Sequence, residues 1–163
     1  MARLEAGASV LELREAQVGK LLAEVSAEAR GFITAAGQQL EVVCESHLET
    51  VTIKADVGRL RHVFINLLTN AVKYSPPGGV ITLSADEMDA GFVRFGVRDQ
   101  GTGIPAESIP HVFDRFYRAP GQTKSGAGIG LAICREIVVA HGGTITCSSE
   151  PGQGTEFHFF LPR

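Results

Sequence analysis

The chain has little of what marks a secreted, metal-bound, membrane-spanning or nucleic-acid-binding protein. Its three cysteines, Cys44, Cys134 and Cys147, are odd in number and scattered, with no C-x-x-C spacing. This argues against a disulfide framework or a zinc site and reads them as small apolar fillers in a reducing cytoplasm. His47, His62, His111, His141 and His158 form no i, i+4 pair of the kind that holds a metal from one helix face. No run approaches the length of a transmembrane helix, and the N-terminus lacks the apolar region of a signal peptide. A formal charge of −3 supplies no basic field for a nucleic-acid surface.

What remains is an ordinary globular balance: 163 residues, 44% hydrophobic and 20% charged, enough for one compact domain with a real core. From Val18, the apolar residues Leu21, Leu22, Val25, Ala29, Phe32, Ile33 and Ala36 recur as on an amphipathic helix, with Gly37 as its stop. Leu40–Glu45 and Val51–Lys54 read as short strands, and Asp56 caps a second helix that reaches about Tyr74. Val80–Ala85 and Phe92–Arg98 read as a strand pair joined around Asp89-Ala90-Gly91. Residues 99–128 are rich in Gly and Pro with little periodicity, and loops that long inside a compact domain are usually functional. A third helix is expected from about Ile129 to His141, apolar nearly all round and so buried on more than one side. Thr144–Ser149 and Thr155–Leu161 close the chain as strands around Pro151-Gly152-Gln153-Gly154. The sum is an α/β (α+β) two-layer sandwich, a mixed sheet covered on one face by helices.

Three segments carry chemistry. On the second helix, Leu60, Phe64, Leu67 and Ala71 share an arc of about 60° and mark the core face. Asn66, Asn70 and Lys73 fall within another arc of about 60° at its edge. Asparagine is costly in a helix and costly to bury unpaired, so two on one edge suggest a ligand such as magnesium with phosphate oxygens. Asp99-Gln100-Gly101-Thr102-Gly103-Ile104-Pro105 follows a strand. Its glycines let the backbone approach something flat beside a carboxylate acceptor. Gly126-Ala127-Gly128-Ile129-Gly130-Leu131 feeds a helix N-terminus, where exposed N–H groups favour an anion. It is not a dinucleotide fingerprint, because no strand immediately precedes it and the glycine spacing differs, and no Gly-Lys-Ser/Thr of a P-loop follows. Each segment is weak alone.

In this order, the segments resemble the Bergerat-type ATP-binding fold shared by gyrase, heat-shock chaperones, mismatch-repair ATPases and histidine kinases. The finer similarity is to sensor histidine kinases. Asn66-Leu67-Leu68-Thr69-Asn70-Ala71-Val72-Lys73-Tyr74-Ser75 resembles their N box and Asp99 to Gly103 the G1 box. Phe113-Asp114-Arg115-Phe116-Tyr117-Arg118 resembles the F box, Gly126 to Leu131 the G2 box, and Gly152-Gln153-Gly154-Thr155 the final glycine motif. The resemblance implies ATP and Mg²⁺ as cofactors. Asp99 would accept from the adenine amino group, with Gly101, Gly103 and Ile104 around it. Asn70 would hold Mg²⁺, Lys73 and Tyr74 would lie along the nucleotide, and Asn66 would be a further polar position of the N box. Residues from about Tyr117 to Gly126 would form a mobile lid with Phe113 and Phe116 packed at its base. Arg118 and Lys124 would meet phosphate charge, and Gly126, Gly128, Ile129, Gly130, Leu131 and Thr155 would complete the cofactor site.

The true ATPases of this superfamily carry a glutamate where Asn66 stands, as a general base for water, and an amide cannot accept that proton. The resemblance therefore implies slow hydrolysis and transfer to a histidine. None of the five histidines has the acidic neighbour of an acceptor motif; His47 precedes Leu48 and His62 precedes Val63. Residues 1–16, with Ala2-Arg3-Leu4-Glu5-Ala6-Gly7, resemble the end of a dimerisation helix and its linker, and 17–163 the catalytic domain. The implied partners are a dimerisation domain of the parent that bears the acceptor histidine, upstream of Met1, and a response regulator downstream. The fragment would be monomeric and its parent a homodimer, cytoplasmic or anchored in the inner membrane. The alternatives are a degenerate or regulatory ATP-binding module, such as a nucleotide sensor or an anti-sigma-like serine kinase, and a hydrolysing chaperone or topoisomerase fragment.

Overall fold

The computed structural model describes residues 10–88, 91–117 and 130–163. The chain opens with strand β1 (Arg14–Gln17) and helix α1 (Val18–Ala35), then β2 (Gln39–Cys44), β3 (Thr52–Ala55) and helix α2 (Val57–Tyr74). It continues through β4 (Val80–Met88), β5 (Phe92–Arg98), helix α3 (Gly130–Ala140), β6 (Thr144–Glu150) and β7 (Gly154–Pro162). Five strands form one mixed sheet in the order β2-β4-β5-β7-β6, with β2 parallel to β4 and every other pair antiparallel. The turn at Asp89-Ala90 lies outside the described residues.

The two-residue period of the strands sends Ile81, Leu83, Ala85, Val93, Phe95, Val97, Phe157, Phe159 and Leu161 into the core. There Phe64 of α2 meets Phe95 edge-on at 5.5 Å and Phe159 at 5.1 Å. Six residues of α2 are buried: Leu60, Val63, Phe64, Leu67, Leu68 and Ala71. The five larger ones each contribute up to about 1.5–3 kcal/mol of apolar burial, and Ala71 less. Asp56 Oδ1 caps the helix by accepting from Arg59 N at 3.2 Å, which is worth about 1 kcal/mol. Docking on the sheet therefore sets where α2 lies, and the cap sets only where it starts.

Helix α1 has no side-chain cap; its first N–H groups donate instead to Val51 O and Glu49 O, at 2.9 and 3.2 Å. Strand β1 is absent from the sequence expectation. It pairs antiparallel with β3, Arg14 opposite Ala55 and Gln17 opposite Thr52, and Glu12 N donates to Asp56 Oδ2 at 3.0 Å. Four residues without alternating hydrophobicity leave no periodic signal. In α3, Ala132, Cys134, Ile137 and Val138 are buried, whereas Val139 is 57% exposed, so the helix keeps a solvent side. Among the described residues, no helix is long and apolar enough to cross a membrane.

Candidate functional site

Asn66, Asn70 and Lys73 are half-buried along the edge of α2 where the wheel places them, and Tyr74, which follows Lys73, is half-buried too. The first turns of α3 pack beside Asn66: a Cβ on Gly130 would stand 3.9 Å from Asn66 Cγ. Cys134 Sγ donates to Val63 O at 3.8 Å, and burial pushes its thiol up to about 12 against a hydrogen bond from Asn66. Asn66 thus has a protein partner in the α2–α3 seam, and Leu131 packs against the core beside it. The Lys73 ammonium lies 5.7 Å from the Tyr74 ring centroid, within cation–π range.

A cleft of about 300 Å³ lies between α1 and α2, lined by Glu28, Gly58, Arg61, His62, Ile65 and Asn66. Of the sequence-predicted residues it touches only Asn66, and it lies toward the start of α2, away from Tyr74.

Asp99 follows β5 directly and is only 4% exposed. Its Oδ1 accepts from Gly101 N at 2.8 Å and from Thr155 N at 3.3 Å. Burial raises its carboxyl above the ordinary aspartate value, and these two bonds only partly oppose the rise. The residue shares the inner, α2-covered side of the sheet with Val93, Phe95 and Val97, two residues apart along the strand.

Gly101 and Gly103 are required by the packing of the loop on the rest of the fold. A Cβ on Gly101 would stand 2.4 Å from Tyr74 O, and one on Gly103 would stand 2.3 Å from Glu150 O. Gly103 also has φ +82°, a left-handed conformation that side chains disfavour. The space is filled by the protein's own backbone, which locks the loop after Asp99 to the end of α2 and to the β6–β7 turn.

Three residues absent from the sequence-based site complete that lock. Gln38 Nε2 donates to Val72 O at 3.2 Å and Ser75 O at 3.0 Å, holding orphan carbonyls at the end of α2. Gln100 N donates to Ser75 Oγ at 3.4 Å while its Oε1 accepts from Val80 N at 2.9 Å. Ser149 Oγ accepts from Ile104 N at 2.7 Å and contacts Thr155 Oγ1 at 3.0 Å. All but the Ser149–Thr155 contact join residues 20 or more apart, which no local pattern announces.

Phe113 is buried, edge-on to Phe157 at 6.0 Å and under the Arg135 guanidinium at 5.9 Å. Arg115 pairs with Glu136 at 2.7 Å, and Tyr117 OH donates to Ser108 Oγ at 2.9 Å. Phe116 departs from its expected packing. It is 69% exposed with φ +66°, a left-handed turn of the backbone beside a buried Phe113. Arg118, Lys124, Gly126, Gly128 and Ile129, and with them the expected lid, lie outside the described residues.

For a divalent cation, the donors fit in one way. No group of three or more His, Cys, Asp or Glu among the described residues forms a cage. The Asn70 amide is a hard oxygen donor of the kind Mg²⁺ takes together with phosphate oxygens and water.

A family model described as "Histidine kinase-, DNA gyrase B-, and HSP90-like ATPase" matches residues 55–163. The adaptive-response sensory kinase SasA of Synechococcus elongatus is 40% identical over 126 residues, 77% of this chain and 33% of SasA. The crystal structure of full-length ShkA in complex with AMPPNP has a TM-score of 0.86 at 36% identity, covering 99% of this chain and 33% of that one. Histidine kinase ThkA in complex with response regulator protein TrrA gives a TM-score of 0.76 at 29% identity, covering 94% of this chain and 42% of that one. The chain thus spans about a third of the length of SasA and of ShkA.

Proposed function

Since the chain belongs to the family of histidine kinase-, gyrase B- and HSP90-like ATPases, and its site has an amide where a hydrolase needs a carboxylate, we propose that it is the ATP-binding catalytic domain of a sensor histidine kinase. The observation that carries this reading is Asp99, a buried carboxylate with Oδ1 doubly occupied by backbone N–H groups, on the same side of the sheet as the asparagine edge of α2. Among the described residues Oδ2 has no hydrogen bond, and it is the acceptor offered to the adenine amino group.

Asp99 and its locked loop hold the base, which places the phosphates along Asn70 and Lys73. When bound, Mg²⁺ neutralises phosphate charge, with Asn70 as its protein donor. Phosphoryl transfer passes through a loose transition state, so catalysis is mainly positioning and charge neutralisation. Asn66 cannot act as a base for water, and its amide is engaged by Cys134. The γ-phosphoryl is therefore held for a histidine of the parent's dimerisation domain, a neutral imidazole attacking in line. The larger partners proposed are that domain, in a homodimeric parent, and a response regulator. The domain works in the cytoplasm, whether or not its parent is anchored in the membrane.

Calorimetric titration of the chain with ATP, with and without Mg²⁺, tests this. Magnesium-dependent binding with little turnover is the expected result. Absence of binding, or steady hydrolysis on the order of 1 s⁻¹, would overturn it.

A further inference from the structure

Ser149 sits at a crossing of three backbone segments, and one arrangement of protons satisfies all three of its hydrogen-bond contacts at once. A hydroxyl has one proton to donate and two lone pairs to accept with. Ile104 N is 2.7 Å from Ser149 Oγ and can only donate to it. Gly154 O is 2.9 Å away and can only accept from it. The serine's single proton is thereby committed to Gly154. The remaining contact, Thr155 Oγ1 at 3.0 Å, is a hydrogen bond only if the threonine donates its own proton to Ser149.

Thr155 is next to Asp99 in the fold. It pairs with Ser149 across β6 and β7, Asp99 N donates to Thr155 O at 2.9 Å, and Thr155 N donates to Asp99 Oδ1 at 3.3 Å. Both residues are buried on the inner side of the sheet, and Thr155 Oγ1 has no other hydrogen-bond partner among the described residues. With its proton turned toward Ser149, the threonine presents only lone pairs to anything beside Asp99. The carboxylate likewise presents only acceptors.

We infer that Ser149 is a specificity-determining residue of the base pocket: by holding the Thr155 hydroxyl as an acceptor beside Asp99, it makes that edge select a purine bearing a 6-amino group over one bearing a 6-oxo group. An amino group donates to such an edge. A carbonyl oxygen meets lone pairs on both residues, and a buried polar group without a partner is costly. Ser149 acts through Thr155 and needs no contact with the nucleotide itself. The inference rests on the assignment of Asp99 to the base in the proposed function.

Replacing Ser149 by Ala frees the Thr155 proton to rotate toward the ligand. In titrations of the chain with Mg·ATP and Mg·GTP, S149A should weaken ATP and strengthen GTP, compressing the selectivity ratio by about tenfold. S149T keeps a hydroxyl at the crossing and should restore the wild-type ratio. T155V leaves the Ile104 and Gly154 bonds in place, so it tests the same edge without loosening the loop, and it should also compress the ratio. The S149A/T155V double variant should be no less selective than T155V, because both changes act on one hydroxyl.

A purely structural role for Ser149 predicts equal losses for both nucleotides at an unchanged ratio, and that result would overturn the inference. So would wild-type selectivity in T155V, which also covers the case in which S149A does not fold. Failure of the wild-type chain to bind ATP would overturn both the inference and the function it rests on. ATP binding that falls on D99N, with S149A still selecting ATP as before, would overturn the inference alone.

Discussion

At the scale of the residue, Asp99 has two opposite pH dependences. Its carboxyl is raised by desolvation first, with N–H bonds from Gly101 and Thr155 opposing. The native state therefore holds this proton at a pH where the unfolded chain has released it. The group's contribution to stability grows as pH falls through the raised value toward the ordinary one, and is lost as pH rises. In the proposed site the base needs the ionised acceptor, so ATP affinity should fall over the same acid window while the apo domain gains stability from this group. Asp99→Asn should lower ATP affinity about tenfold or more, because an acceptor becomes in part a donor facing an amino group. It should also remove that pH-dependent component, with the circular dichroism spectrum retained. Unchanged affinity in calorimetry would remove Asp99 from the base pocket.

Elements in this protein meet through backbone as much as through side chains. The loop after Asp99 is pinned to the end of α2 at Gly101, to the β6–β7 turn at Gly103, and to β4 through Gln100. Gly103→Ala would place a methyl group 2.3 Å from Glu150 O at a φ of +82°. The expected cost is about 2–4 kcal/mol, measured as a lower urea midpoint at constant slope. A wild-type midpoint would show that the loop does not pack on the turn as described. Legibility in the sequence follows the same division. The capping role of Asp56, the buried face of α2 and the span of β5 were readable because caps and periodicities are local. Strand β1 was not, because a short, largely exposed strand gains its place only from its partner β3.

For the whole molecule, β1 ties the start of the described chain to the catalytic fold. Glu12 N donates to Asp56 Oδ2, and Asp56 in turn caps α2 by accepting from Arg59 N and donates its own N–H to His141 Nε2, 3.0 Å away. Burial works to raise the Asp56 carboxyl, but the Glu12 and Arg59 hydrogen bonds and nearby positive charge leave it below its ordinary value. Its contribution to stability is present above the unfolded value and lost as pH falls through the lower folded one. A chain beginning at Val18 should lose roughly 1–2 kcal/mol and a few degrees of melting temperature, with a shallower acid limb in its stability profile. An unchanged melting curve would show that β1 adds nothing to the fold. ATP affinity should be retained, since the truncated strand lies outside the base pocket.

The amino-acid sequence by itself determined which residue types stand at which turn of which element. The asparagines on one edge of α2, the aspartate after β5, the glycines around it and the threonine of the closing motif are all local facts of order and spacing. Tertiary structure alone decided what those residues face. Pairing β7 between β5 and β6 brings Asp99, Thr155 and Ser149 side by side from positions up to 56 residues apart. The glycines meet Tyr74 O and Glu150 O, and Asn66 meets Cys134. The physical reason is that helical and strand periods are written by neighbours along the chain. The direction of a hydrogen bond across a sheet is set only when distant donors and acceptors are brought within three ångströms and every proton has one place to go.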